Sequence, residues 1–150
     1  GALSGVVLFS RADKRGVYPF VRLYTADGGA VTLSGSHYVP TAGVGKLTAA
    51  RAVVVEELLE RADGAMVAVV AKEERVMLRG LYNPHTVTDE IVVDGFVVSC
   101  LTTAVAPPLA RALIWPVKAW MMVVGKDVWG ACFEKGSRWS SWVVSGAESY

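Results

Sequence analysis

Residues 20–37 constrain the fold of this chain most, since they read as two strands joined by one turn. Apolar and polar side chains alternate in FVRLYT before the turn at 26–29 and in AVTLS after it. Period-two alternation on both sides of a Gly-containing turn is typical of a β-hairpin. The hairpin ends in SGSH, which brings Ser34 and His37 to one strand end. A neutral imidazole beside a hydroxyl can polarise a peptide carbonyl and protonate its leaving nitrogen, so we expect both residues in a functional site.

A second apolar segment, residues 91–98, predicts a buried strand that leads directly to Cys100. The stretches 21–39 and 79–100 share a Leu-Tyr pair, a polar turn, an apolar strand and then a reactive side chain. Such a repeat indicates two related β-units folded about a pseudo-two-fold axis, which would place His37 and Cys100 near one another. We therefore expect an all-β fold with one shared pocket at two strand ends.

Further strands are predicted between these segments. Residues 5–10 read as a short strand followed by a charged turn at 11–16. Residues 65–79 read as two strands separated by the charges at 72–75. Residues 48–60 combine helix-favouring Ala and Glu with three consecutive valines, and we favour a strand or short turn there.

The residue pattern changes at residue 106, from strand-like segments to a proline-containing segment that favours a helix. Two prolines at 107 and 108 suit a helix N-terminus, whereas Pro116 is expected to kink or end that helix. The prolines and cations of this region interrupt its apolar run too strongly for a bilayer-spanning helix. Contact of residues 106–124 with a membrane surface stays open.

Composition bounds the class of protein and its partners. A chain of 150 residues with 53% hydrophobic residues and a mean hydropathy of +0.39 can bury a core as one domain, and this excludes disorder. The formal net charge is +1 without a basic block, so no nucleic-acid partner is expected. Cys100 and Cys132 do not have metal-ligand spacing, and only His37 and His85 could assist them. We expect no metal and no other cofactor.

Residues 80–86 (GLYNPHT), 91–95 (IVVDG) and 99–100 (SC) follow the SGSH motif at a long interval. Together these blocks resemble the Hint domain of the Hedgehog autoprocessing family, a relative of inteins, over about residues 5–115. The resemblance implies an all-β, Hint-type pseudo-two-fold structure with a short helical or irregular C-terminal extension. It divides the chain into a Hint-like β-domain at 1–105 and an extension at 106–150, packed on that domain or in contact with lipid or a partner.

The resemblance also implies an activity, autoproteolysis by an N-to-S acyl shift. A cysteine at the start of the Hint domain attacks the preceding carbonyl, and the resulting thioester passes to water, a thiol or a sterol. The substrate is the protein's own N-terminal segment. His37 would polarise or protonate the scissile amide, Ser34 would orient His37 or hydrogen-bond that amide, and Cys100 would lie beside the nucleophile as a redox or thiol-exchange group. Family context implies the secretory pathway or the extracellular space.

Three departures from the family pattern weigh against activity. No cysteine block precedes Gly5, so we expect this stretch to be a fragment or processed piece that does not cleave itself. Arg11 stands where the family has the acidic residue that activates sterol, and Ser34 replaces the usual threonine. Cys132-Phe133 looks like the missing first block displaced toward the C-terminus, which would require a permuted chain.

Other interpretations stay open. The chain could be a degenerate Hint fold kept as a non-catalytic binding or structural module, or an unrelated secreted β-protein with a Cys100–Cys132 disulfide. Without the resemblance, His37 would more often be a structural histidine and Cys100 an inert buried thiol. His85, in a Pro-containing segment, reads as a polar turn residue.

Overall fold

The computed structural model describes residues 6–41 and 46–124. Within these ranges the chain forms eight β-strands, a 3-10 turn at Ala50–Ala52 and one α-helix. The strands and the helix are β1 (Val6–Thr25), β2 (Ala30–Ser34), β3 (Tyr38–Pro40), β4 (Leu47–Ala49), β5 (Leu58–Glu60), β6 (Met66–Thr86), β7 (Glu90–Val93), β8 (Phe96–Ser99) and α1 (Pro107–Val124). The all-β prediction with a short C-terminal helix is confirmed.

The predicted hairpin is present as β1 and β2, paired antiparallel from Phe20↔Ser34 to Tyr24↔Ala30. Alternation places one side of both strands in the core. The turn closes because the Asp27 carboxylate accepts hydrogen bonds from the Thr25 hydroxyl at 2.5 Å and from the Gly29 N–H at 3.1 Å. Gly28 has a φ of +82°, a conformation that glycine adopts without steric cost.

The longest feature is an antiparallel ladder between β1 and β6, which runs from Val6↔Thr86 to Thr25↔Val69. The predicted turn at 11–16 is wrong, and so is the predicted division of 65–79 into two strands, because both charged stretches continue within β1 and β6. The ladder accommodates them through irregularities, among them the register shift between Asp13 and Val17. Bulges of this kind bend a strand without ending it, so solvent-facing charges do not need a chain reversal.

Residues 91–98 form two strands rather than the predicted single buried strand. β7 and β8 pair antiparallel, and they reverse direction at Asp94-Gly95 with φ of +51° and +85°. Positive φ at both central residues defines the type I′ turn that matches the twist of a hairpin, and Asp-Gly is a preferred pair for it. The Asp94 carboxylate also accepts a hydrogen bond from the Thr32 N–H at 3.2 Å, which ties this turn to β2.

The strands assemble into one four-stranded sheet in the order β2-β1-β6-β5 and two pairs, β3-β4 and β7-β8. β1 and β6 run antiparallel from end to end, and the pseudo-two-fold relation between the two predicted β-units stays a prediction. The preferred strand or short turn at 48–60 is confirmed by the end of β4, the 3-10 turn and β5. The core joins these elements through the buried residues Val21, Leu23, Val31, Leu33, Val39, Ala50, Val53, Leu59, Val69, Phe96 and Val98.

Helix α1 contains Pro116 and continues to Val124, so Pro116 does not end the helix. Leu113 and Trp120 of this helix are largely exposed. None of the described helices has the length and apolar character that crossing a bilayer requires. The division of the chain at 105/106 stays a prediction, and the interpretations of Cys132 concern residues outside the described ranges.

Candidate functional site

A cavity of about 430 Å³ lies between α1 and the part of the β1–β6 ladder near its Val6↔Thr86 end. Its volume is in the range of small-molecule and substrate sites in proteins. One wall carries apolar side chains of α1, and the opposite wall carries hydroxyl, amide and imidazole groups from the strands. The polar wall consists of Ser10, Arg11, Ser34, Ser36, His37, Asn83 and His85.

Ser34 and His37 meet in this wall, as the sequence predicts. The His37 N–H donates to the Ser34 carbonyl at 3.0 Å, which closes a tight turn after β2. That turn places the Ser34 Oγ 2.8 Å from the His37 Nδ1. The backbone of His37 also bridges to Thr102, so the turn is held against the segment that follows β8. His37 is therefore held through both its backbone and its side chain, and the residue is only 8% exposed.

The other nitrogen of His37 belongs to a polar chain that the sequence analysis did not predict. The His37 Nε2 lies 3.1 Å from the Asn83 Oδ1, and the Asn83 amide donates to the Ser10 Oγ at 2.7 Å. The Ser10 Oγ lies 2.9 Å from the His85 Nε2. Four side chains from three parts of the sequence thus form one hydrogen-bonded row along the cavity. We name this row, His37-Asn83-Ser10-His85, the polar relay.

His85 lies within β6 and is 5% exposed, so its interpretation as a turn residue is wrong. Asn83 and His85 are two residues apart on one strand and therefore project to the same face. Period-two alternation in YNPHT was the available signal, but Pro84 concealed it, because proline in a strand is uncommon. Ser10 gave no signal of its own, since its role depends on the pairing of β1 with β6.

Burial sets the protonation state of both imidazoles. It lowers the pKa of His37 below the ordinary value of 6.5, the hydrogen bond that His37 donates to the Asn83 oxygen acts in the opposite direction, and electrostatic repulsion from a protonated His85 would lower the pKa further. Burial likewise lowers the pKa of His85, and the nearby Lys118 cation acts in the same direction against Asp89. Both rings are therefore neutral at pH 7, in the state in which one nitrogen donates and the other accepts.

Cys100 lies beside this cavity without lining it. It follows β8 directly, is 1% exposed, and its sulfur lies 3.5 Å from the Thr86 Oγ1. Burial raises the pKa of its thiol above the ordinary value, although hydrogen bonds from Thr86 act in the opposite direction. The structure thus brings Ser34 and His37 into contact and leaves Cys100 outside the cavity lining, as a protonated thiol.

Helix α1 is fastened to the same end of the sheet by Lys118. This ammonium group pairs with the Asp89 carboxylate and donates to the Val87 carbonyl at 3.2 Å. Arg111, two turns earlier in the helix, reaches the same carboxylate at 3.5 Å. The backbone carbonyl of Asp89 accepts from the Cys100 N–H at 2.8 Å. One aspartate therefore links the helix to the backbone of Cys100.

Arg11 projects from β1 into the cavity wall and lies 5.3 Å from the centre of the Tyr18 ring. Its guanidinium also donates to the Tyr18 hydroxyl at 3.4 Å, and that hydroxyl donates to Asp13 at 2.5 Å.

Among the described residues, no group of three or more His, Cys, Asp and Glu side chains is arranged to hold a metal ion.

No protein-family model and no curated protein matches this chain. Solved structures of inteins do match its fold. The VidaL intein is 19% identical with a TM-score of 0.50, and the match covers 61% of each chain. The gp41-1 intein is 13% identical with a TM-score of 0.54, over 64% of this chain and 72% of the intein. At this level of identity the likeness shows the fold, and the chain has the Hint fold of inteins. The Hedgehog-specific variant of that fold is not distinguished.

Proposed function

We propose that this chain is the core of a self-processing domain that cleaves its own upstream segment through an N-to-S acyl shift. The observation that carries the proposal is the contact between Ser34 and His37 at a strand end of a Hint fold, inside a cavity that can admit a peptide bond. The fold alone is compatible with other roles, so the site is what favours this one.

His37 has the state that the reaction requires. Because its Nε2 faces the Asn83 carbonyl oxygen, Nε2 carries the proton and Nδ1 offers a lone pair. In the proposed step, Nδ1 takes the proton of the attacking thiol and delivers it to the scissile amide nitrogen. The carbon–sulfur bond forms as the carbon–nitrogen bond breaks, which leaves a thioester and a free amine. Ser34 donates to Nδ1 before substrate enters and so holds the ring in place.

The start of β1 supports the placement of the substrate. Val6 pairs with Thr86 and Leu8 pairs with His85, so β1 begins beside the polar relay. We place the nucleophilic cysteine ahead of β1, since the cysteines of the sequence lie at 100 and 132. Cys100, which is buried outside the cavity lining, would exchange with the thioester only after its thiol is exposed and deprotonated.

The apolar wall bears on the acyl acceptor. Ala110, Leu113 and Ile114 of α1 face the cavity, and this wall suits an apolar alcohol such as a sterol as well as water or a small thiol. In the Hedgehog-type form of the proposal the acceptor is a sterol, the reaction takes place in the secretory pathway, and residues 106–124 contact the membrane.

Two observations favour a second candidate, a non-catalytic binding or structural module. Arg11 occupies the cavity wall where an acceptor hydroxyl would need a base, and a guanidinium cannot act as one. Cys100 is buried with a raised pKa, so it supplies no ready thiolate. In such a module the cavity would bind a ligand without bond cleavage.

The two candidates are separated by expressing the gene-encoded protein from its own start codon and adding dithiothreitol. The self-processing proposal expects a thiol-dependent cleavage product on a denaturing gel, with its junction ahead of β1 by mass spectrometry. His37→Ala should slow the reaction about 100-fold, the usual contribution of general acid–base catalysis. Thr41→Val, which removes a buried hydroxyl outside the cavity, is the matched control. Equal rates for His37→Ala and the parent would contradict the mechanism, and an uncleaved parent protein would favour the module.

A further inference from the structure

The Nδ1 of His85 is buried and has no hydrogen-bond partner among the described residues. The polar contact of this ring is with Ser10, through Nε2. An unsatisfied buried polar atom costs about 1–3 kcal/mol, and a leucine could fill the same space without that cost. Such a group in a folded protein calls for an explanation outside packing.

Hydrogen-bond direction supplies that explanation. Ser10 has one proton to donate, and a neutral His85 that presents a lone pair at Nε2 receives it. Ser10 then faces Asn83 as an acceptor, which requires Asn83 to present its NH₂ group. The Asn83 carbonyl oxygen consequently faces His37, and His37 must carry its proton on Nε2. The whole row has one direction, and His85 sets it.

We infer that His85 is a positioning residue for His37, which acts through Ser10 and Asn83 to keep the Nδ1 of His37 free of its own proton. His85 does not touch the reacting atoms in this assignment. The importance of the selected tautomer for catalysis rests on the proposed function, whereas the tautomer itself is a property of the folded chain.

The surroundings of His85 hold it in the neutral form that this role requires. Lys118 of α1 faces it with a positive charge, Asp89 of the β6–β7 connection opposes that charge, and His37 lies at the other end of the polar relay. Protonation of His85 would turn Nε2 into a donor, release the Ser10 proton and remove the reason for Asn83 to keep its orientation.

Nitrogen-15 NMR of histidine-labelled chain 1–150 tests the assignment directly. The parent should show His37 as the Nε2–H tautomer. His85→Leu should shift His37 to a mixture of tautomers, whereas His85→Gln, whose carbonyl oxygen can accept the Ser10 proton, should restore the parent spectrum. Ser10→Ala interrupts the row at an exposed position and should reproduce the effect of His85→Leu. Thr41→Val is the control for a lost buried hydroxyl and should leave His37 unchanged.

An unchanged His37 tautomer in both His85→Leu and Ser10→Ala would overturn the inference. Should His85→Leu not fold, Ser10→Ala alone decides. In the gene-encoded protein, His85→Leu should slow thiol-dependent cleavage about tenfold or more and alter its pH profile, and His85→Gln should recover both. If the parent does not cleave, the proposed function fails while the NMR result still decides the role of His85.

Discussion

The two ends of the β1–β6 ladder share one set of backbone hydrogen bonds but differ in what surrounds them. At the Thr25 end, Leu23 and Val69 are buried in the apolar core against Phe96. Near the Val6 end lies the polar relay, with Asn83 and His85 on β6. Apolar packing is non-directional and accepts substitutions of similar volume, whereas a hydrogen-bonded row depends on every donor and acceptor. The first end supplies stability, and the second end uses it to position side chains.

The largest expected effect is on the apolar end. Phe96→Ala removes a ring that is 1% exposed and in contact with Arg61, so the free energy of unfolding should fall by about 3–5 kcal/mol. Urea unfolding followed by circular dichroism measures the change. Met77→Ala, on the exposed part of β6, is the matched control and should change stability by less than about 0.5 kcal/mol. Equal losses would show that the core is not where the structure places it.

An intermediate effect is expected where α1 meets the polar end. Among the described residues, Lys118→Met leaves the Asp89 carboxylate with its exposed partner Arg111 alone, and should cost about 2 kcal/mol. Arg111→Met removes the exposed partner of the same carboxylate and should cost less than about 1 kcal/mol. Because the Lys118 charge lowers the pKa of His85, Lys118→Met should raise that pKa in an NMR titration. A larger loss from Arg111→Met would contradict the assignment of the buried anchor.

The smallest effect is a pH dependence that belongs to the polar end alone. Burial lowers the pKa of His37 and His85 below 6.5, so the unfolded chain binds more protons than the folded one as pH falls through 6.5. Stability should therefore be fully present above that pH and decline below it. The pKa of Asp13 and Asp27 is about 2, lowered mainly by hydrogen bonds from Tyr18 and Thr25, and affects stability only at much lower pH.

Urea midpoints at about pH 7.5 and about pH 5.5 measure this decline. Replacing both histidines by glutamine should flatten the profile between these two values, and Phe96→Ala should lower it without changing its slope. A decline that persists in the double glutamine variant would assign the dependence to other groups.

The sequence predicted the apolar end better than the polar one, for a physical reason. Val21 and Leu23 alternate with polar residues, and alternation reports burial directly. The same local reasoning placed Ser34 beside His37, because one tight turn joins them. The partners Ser10 and Asn83 lie 73 positions apart in the chain and meet only through the register of the ladder. That register passes through bulges, which the charges at 11–16 and 72–75 conceal in the sequence.

The two cations of α1 that hold Asp89, Arg111 and Lys118, are seven positions apart, which is close to two full turns of helix. Adding one residue between Arg111 and Lys118 would rotate the lysine about 100° around the helix axis and carry it away from the carboxylate. The spacing between Arg111 and Lys118 thus determines how α1 is held against the cavity. Changes of length between the two cations are therefore expected to be damaging.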